Sequence, residues 1–117
     1  MIEVLKRLCT NQGFLGTLVA TKDGIVVQSH LQPGMDDEAS AALVSSLLTS
    51  TKSLLGNVGL NGMEQIVLRA SRGKIIVSDL GIAYLVVVAD RNLDLDAGMI
   101  EIKSASKVLS RLGRITV

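Results

Sequence analysis

Two hydrophobic rhythms alternate along the chain, and the switches between them mark out its helices and strands. Ile2, Leu5, Leu8 and Cys9 recur at helical spacing, with Glu3, Lys6, Arg7 and Thr10 between them. This predicts a short first helix ending near Asn11-Gln12-Gly13. Phe14–Thr21 reads as a strand in which Gly16 marks a bulge or a close packing point. Lys22-Asp23-Gly24 is a hairpin turn, because Asp-Gly tolerates the positive backbone angles such turns need. Ile25–Ser29 is the returning strand, and Gln32-Pro33-Gly34 closes it and leads into a long helix.

That helix spans Asp36–Val58. Asp36 can cap it, Asp37 and Glu38 place negative charge in its first turn, and Gly56, Asn57 and Gly59 supply the stop. On a wheel of 3.6 residues per turn it shows three faces. Leu43, Leu47, Leu54 and Val58, flanked by Val44, Leu48 and Leu55, make a broad apolar face suited to lying on a sheet. Ala39, Ala42, Ser46, Thr49, Ser50 and Ser53 make a stripe of small residues. Either these face water, or they let a second copy of the helix come close; the edge-like third strand raises the latter. Glu38, Ala41, Ser45 and Lys52 form a narrow remainder, expected to face outward.

After the loop Gly59–Gly62, the strand Met63–Ala70 has mixed faces, as expected at a sheet edge. Lys74–Leu80 follows a turn at Ser71-Arg72-Gly73. Ile82–Ala89 follows another at Asp79-Leu80-Gly81, and is apolar on both faces, so it belongs at the sheet's centre. A last helix runs from about Leu95 to Leu112. Leu95, Met99, Ile102, Ala105, Val108, Leu109 and Leu112 are on its inner side, and Lys103, Lys107, Arg111 and Arg114 are on an outer stripe.

Composition narrows the function. The chain has 117 residues, enough for one domain covering 1–117 that buries roughly two-thirds of its unfolded surface. It is 48% hydrophobic, yet Phe14 and Tyr84 are its only aromatics. The core must be aliphatic, and base-stacking nucleic-acid modules are disfavoured. A net charge of +1 gives no electrostatic footprint for nucleic acid or acidic lipid. The longest apolar run, Ile82–Ala89, is too short to span a bilayer, and the amino terminus lacks a signal-peptide core. With a single Cys9 there is no internal disulfide, and a cytoplasmic setting is expected.

No catalytic or metal-binding constellation stands out. His30 is the only histidine and reads as a solvent-facing strand-end residue. There is no G-x-S-x-G elbow. Gly73-Lys74 lacks both the following Ser/Thr and the earlier glycine of a P-loop. The acidic groups Asp36, Asp37, Glu38 and Asp90, Asp94, Asp96 are explained by helix capping. Cys9 reads as a small buried hydrophobe, and Met35 and Met63 as core plugs. No cofactor, no metal and no enzymatic activity are expected.

The hairpin GTLVATKDGIVVQS, the helix ASAALVSSLLTSTKSLL, the stretch MEQIVLRASRGKIIVSDLG and the segment AYLVVVADRNLDLDAGMIEIKSASKVL together resemble the Roadblock/dynein light-chain family, over almost the whole chain. The pattern's order and lengths carry the resemblance rather than any single motif. It implies a profilin-like α+β fold of order α-β-β-α-β-β-β-α. In that fold a five-stranded antiparallel sheet has one long helix on one face and two terminal helices on the other. It also implies a homodimer through the long helices and third strands, placing Ala39, Ala42, Ser46, Thr49, Ser50, Ser53, Gln65, Val67 and Arg69 at the interface. Similarity to the gliding-motility GTPase activator implies a non-catalytic dimer that binds a Ras-like small GTPase, by way of Glu38, Ala41, Ser45 and Lys52 or of the rival stripe Lys103–Arg114. The alternative is an adaptor of dynein light-chain type without effect on GTP hydrolysis. A small-ligand sensor is disfavoured by the absence of polar residues on strand five, and phosphotransfer by the absence of a phosphoacceptor site.

Overall fold

The computed structural model describes residues 1–10 and 13–115, with side chains as far as Leu112. The expected stop at Asn11-Gln12 and the side chain of Arg114 lie outside the described residues. The elements are α1 (Ile2–Cys9), β1 (Phe14–Thr21), β2 (Val26–His30), α2 (Asp37–Asn57), β3 (Gln65–Arg69), β4 (Gly73–Asp79), β5 (Ala83–Asp90) and α3 (Leu95–Ile115). Their order is the one the hydrophobic pattern predicts. The strands form one antiparallel sheet in the order β2-β1-β5-β4-β3. The doubly apolar β5 is therefore central and the mixed β3 is an edge, as expected.

Alternation along the strands splits the core in two. On one face Val19, Ile76, Leu85 and Val87 pack with Leu5 and Leu8 of α1 and with Ile102, Ala105 and Leu109 of α3. On the other, Leu18, Val77, Tyr84 and Val86 pack with Ala41 and Leu48 of α2. Val108, expected inside, is 41% exposed. Gly16 serves both roles expected of it. The β1–β5 register shifts between Phe14 and Gly16, and a Cβ at Gly16 would stand 2.9 Å from a methyl of Leu31. At the β1–β2 turn Gly24 has φ +88°, and its Cα lies so close to α2 that a Cβ would meet the Ala41 carbonyl and the Ala42 Cα at 3.2 Å.

Helix α2 is closed at both ends by the devices its sequence supplies. Asp36 Oδ1 accepts from the Ala39 N–H at 3.1 Å. At the other end the Leu60 N–H donates to Leu55 O at 2.7 Å and the Gly59 N–H to Gly56 O at 3.2 Å, with Gly59 at φ +77°. These bonds satisfy carbonyls that the last turn leaves unpaired.

The facing of α2 differs from the expectation. Ala41 and Leu48 are fully buried against the sheet, whereas Leu43, Leu54 and Val58 are 70%, 63% and 60% exposed. Ser45 Oγ donates to the Lys22 carbonyl at 2.8 Å, and Lys52 Nζ donates to Tyr84 Oη at 2.9 Å. Of the residues expected to point outward, Ala41 and Ser45 thus face the sheet and its β1–β2 turn, Lys52 is exposed but reaches back to Tyr84, and Glu38 is exposed. The cause is geometric. Neighbouring strands lie about 4.8 Å apart, so five strands are broader than one helix of about 10 Å diameter can cover. A single helix leaves part of this face open, and its widest apolar stripe turns toward the open part.

Candidate functional site

The open part of the sheet and the flank of α2 meet in a groove of about 400 Å³. Leu43, Val44 and Leu47 form one wall, Leu68, Ile75, Val86 and Val88 the floor, and Leu18, Leu31 and Met35 the end, with Ser40 the one polar side chain. The lining is almost wholly apolar and includes the exposed Leu43. The small stripe Ala39, Ala42, Ser46, Thr49, Ser50 and Ser53 is exposed throughout. None of its residues lines the groove.

The groove runs beside the free edge of β3. Asp79 N–H donates to Glu64 O at 3.0 Å and Ala70 N–H to Gly73 O at 2.8 Å. The even-numbered backbone groups of this strand therefore point to β4. By the alternation of an antiparallel ladder, Gln65, Val67 and Arg69 aim their N–H and C=O groups at the open edge. The β3–β4 register is regular throughout. The opposite edge differs: β2 is irregular where Val27 is left out of the β1 ladder, and α1 packs against it. A bulge of this kind twists an edge away from further pairing.

A polar cluster closes the far end of α2. Lys22 Nζ lies 2.6 Å from Asp79 Oδ1 and Lys52 Nζ 3.7 Å from Asp79 Oδ2. The Lys22 ammonium also stands 4.1 Å over the centre of the Tyr84 ring. Partial burial raises the Asp79 pKa. The Lys22 ammonium, the Gly81 N–H and Lys52 outweigh that effect and hold the carboxyl below its ordinary value. The Tyr84 hydroxyl, accepting from Lys52, holds that ammonium's pKa above its own ordinary value. The arrangement ties the β1–β2 turn, α2, β4 and β5 together. Sequence reasoning missed it, and the available signal was a tyrosine and an aspartate in otherwise apolar strands.

Three of the acidic candidates have structural partners. Asp37 Oδ2 accepts from Ser29 Oγ at 2.9 Å, and Asp94 Oδ1 accepts from the Asp96 N–H at 3.1 Å. Asp90 Oδ1 accepts from the Asn92 N–H at 2.9 Å. His30 ends β2 opposite Thr17, half-buried. Cys9 is also half-buried, and burial pushes its thiol up despite the contact with Thr17. Lys103, Lys107 and Arg111 are exposed on α3. Met35 lines the groove, and Met63 packs on the α2-side core. Among the described residues no group of three or more His, Cys, Asp or Glu side chains could hold a metal ion. Among them, too, no helix is long and apolar enough to cross a membrane.

Residues 2–89 match the family described as Roadblock/LC7 domain. The chain is 32% identical to the uncharacterized protein MJ0714 of Methanocaldococcus jannaschii over 104 residues, covering 89% of this chain and 88% of that protein. Among solved structures it is similar to a Roadblock/LC7 domain from Streptomyces avermitilis, with TM-score 0.89, 22% identity and 96% of both chains covered. It is also similar to Myxococcus xanthus MglB, with TM-score 0.90, 21% identity and coverage of 96% of this chain and 93% of that one. At these identities the two solved structures speak for the fold.

Proposed function

Since the chain belongs to the Roadblock/LC7 family, we propose that it is a non-catalytic homodimer that binds a Ras-like small GTPase and modulates its GTP cycle. The observation carrying this reading is the apolar groove lying beside an unpaired, regular strand edge. A second copy supplies what both features lack. Side chains directly opposite in an antiparallel pair share a face, so the two-fold axis passes through a residue of β3. With Val67 on the axis, Gln65 lies opposite Arg69 of the second copy, and every outward backbone group of the strand is bonded. With Ile66 or Leu68 on the axis, Arg69 or Gln65 is left without a partner. The Val67 register also sets Ile66 against Leu68 of the second copy, apolar on apolar. Ile66 packs in the same cluster as Leu48. The second copy's α2 is thereby brought beside the groove, where its exposed Leu54 and Val58 find cover.

In this assembly Gln65, Val67 and Arg69 keep the interface role expected of them, and the helix contact moves from the small stripe to Leu43, Leu47, Leu54 and Val58. The stripe Ala39, Ala42, Ser46, Thr49 and Ser53, with Glu38, is then the outward platform for the GTPase. Such a binder need not donate a catalytic group, because holding switch loops in the reactive arrangement lowers the barrier by positioning. Sedimentation velocity should show an assembly no smaller than a dimer, which Leu43→Glu makes smaller; a monomer at micromolar concentration overturns the assembly. Titration against the candidate GTPase, loaded with GTP analogue and with GDP, should show binding that Thr49→Arg impairs without dissociating the dimer. Binding with an unchanged hydrolysis rate would assign the adaptor role instead, and no binding in either state would remove the GTPase from the proposal.

A further inference from the structure

The outer face of α3 carries a second seam at helical spacing. Ala97, Ile100, Ser104, Val108 and Arg111 follow one another along it, all exposed, with Ile100 71% and Val108 41% exposed. Charge is graded along the helix: Asp96 and Glu101 come first, followed by Lys103, Lys107 and Arg111. Among the described residues none of these five side chains forms an ion pair within the chain. Acidic residues near the start and basic residues near the end suit the helix dipole, but that does not account for a large aliphatic side chain between them.

We propose that this face pairs with the same face of a second copy, antiparallel, about a two-fold axis near Ser104. A rotation about that point sets Ile100 against Val108 of the second copy and Glu101 near its Lys107. It also brings Asp96 and Ala97 to its Arg111. Each acidic end meets a basic end, whereas a parallel pairing would stack like charge on like. Ala97 and Ser104 are small, which lets the helix axes approach. The contact is isologous and closes on itself. From Ala97 to Arg111 it is only about 21 Å long at 1.5 Å per residue, so one seam is weak.

The seam needs no part of the β3 pairing, but combined with it the result is a tetramer. Both α3 helices of a dimer lie on the sheet face opposite α2, so two dimers meet back to back through two seams at once, and the second forms at high effective concentration. The α2 platforms are left free and directed away from each other.

Sedimentation velocity on four chains tests this: unmodified, Ile100→Glu, Leu43→Glu and the double variant, each first checked for native circular dichroism. The expected species are tetramer, dimer, dimer and monomer. Equal mass for the unmodified chain and Ile100→Glu overturns the seam, whatever Leu43→Glu does, and leaves the face to a different protein. An unchanged mass for Leu43→Glu overturns only the α2 contact. Charge reversal tests the ionic pairing of the seam. A chain with Asp96→Lys and Glu101→Lys, and another with Lys107→Glu and Arg111→Glu, should each lose the seam alone and regain it when mixed. Failure of the mixture to recover the larger species overturns the pairing of acidic with basic residues across the seam.

Discussion

Leu48→Ala and Leu43→Ala remove the same atoms from the same helix, so propensity changes cancel between them and only location differs. Leu48 is fully buried, wedged between α2 and the sheet beside Val77, Tyr84 and Val86. Truncating such a leucine costs about 3 to 4 kcal/mol, from lost transfer energy plus the cavity left behind. Unfolding entropy of about 2.1 cal/mol/K per residue gives roughly 0.25 kcal/mol/K for this chain, so the melting temperature should fall by about 12–16 °C. Leu43 keeps 70% of its surface in water within one protomer. Its truncation should therefore cost the protomer about 0.5 kcal/mol or less. In the proposed dimer it sits in the groove of both copies, so the loss appears twice, as weaker association. Urea unfolding followed over a wide range of protein concentration separates the two. Leu48→Ala should lower the midpoint at every concentration. Leu43→Ala should lower it in the concentrated samples and approach the unmodified chain in the most dilute. Equal losses at the lowest concentration would refute the facing of α2 described above.

Asp79→Asn removes the shared partner of Lys22 and Lys52 and should cost about 1–2 kcal/mol at neutral pH, read by thermal unfolding. The folded carboxyl titrates below its unfolded value. Its contribution is therefore complete above the unfolded pKa of about 3.9 and fades as the pH falls through the folded one, so the two chains should converge in acid. Tyr84→Phe should cost less, about 1 kcal/mol, because the ring contact to Lys22 survives and only the Lys52 hydrogen bond is lost. Gly24→Ala should destabilise by about 1–3 kcal/mol through its positive φ and the crowding against α2. Cys9 should react with iodoacetamide more slowly than free cysteine at neutral pH and accelerate only well into the alkaline range, since burial raises its thiol pKa.

The element order was legible because each rhythm reports a local constraint: β5 is apolar at every position from Ala83 to Ala89, and no amphipathic helix reads that way. The capping of α2 by Asp36 and its stop at Gly59 were legible for the same reason, being settled within a single turn. The facing of α2 was not. A wheel fixes the angles between Leu47, Leu48 and Ser46 but not which of them meets the sheet, and the broadest apolar stripe was assigned to the contact. That assumption holds when one helix covers a whole sheet and fails when the sheet is wider than the helix. Ala41 was misplaced in the same way: a small residue reads as neutral on a wheel, yet it is what lets α2 come down close to the β1–β2 turn. The cluster of Lys22, Lys52, Asp79 and Tyr84 was out of reach for another reason. Lys22 and Asp79 are 57 residues apart and Lys52 and Tyr84 are 32 apart, so only the sheet order brings them together.

The two edges of the sheet can be considered as bonding sites with a valence. Had both been regular, β2 of one copy could pair with β3 of the next, and every chain added would expose a fresh acceptor edge, so the sheet would lengthen without limit into a fibre. The irregularity at Val27 removes one of the two sites. A unit with one remaining site can only find another like itself, and the act of pairing consumes both. In the proposed assembly, one misfit residue in a five-residue strand thus separates a particle of fixed stoichiometry from a polymer. A substitution that restored regular pairing there would be dangerous to the cell through what the chain could then build, even if its own fold were unchanged.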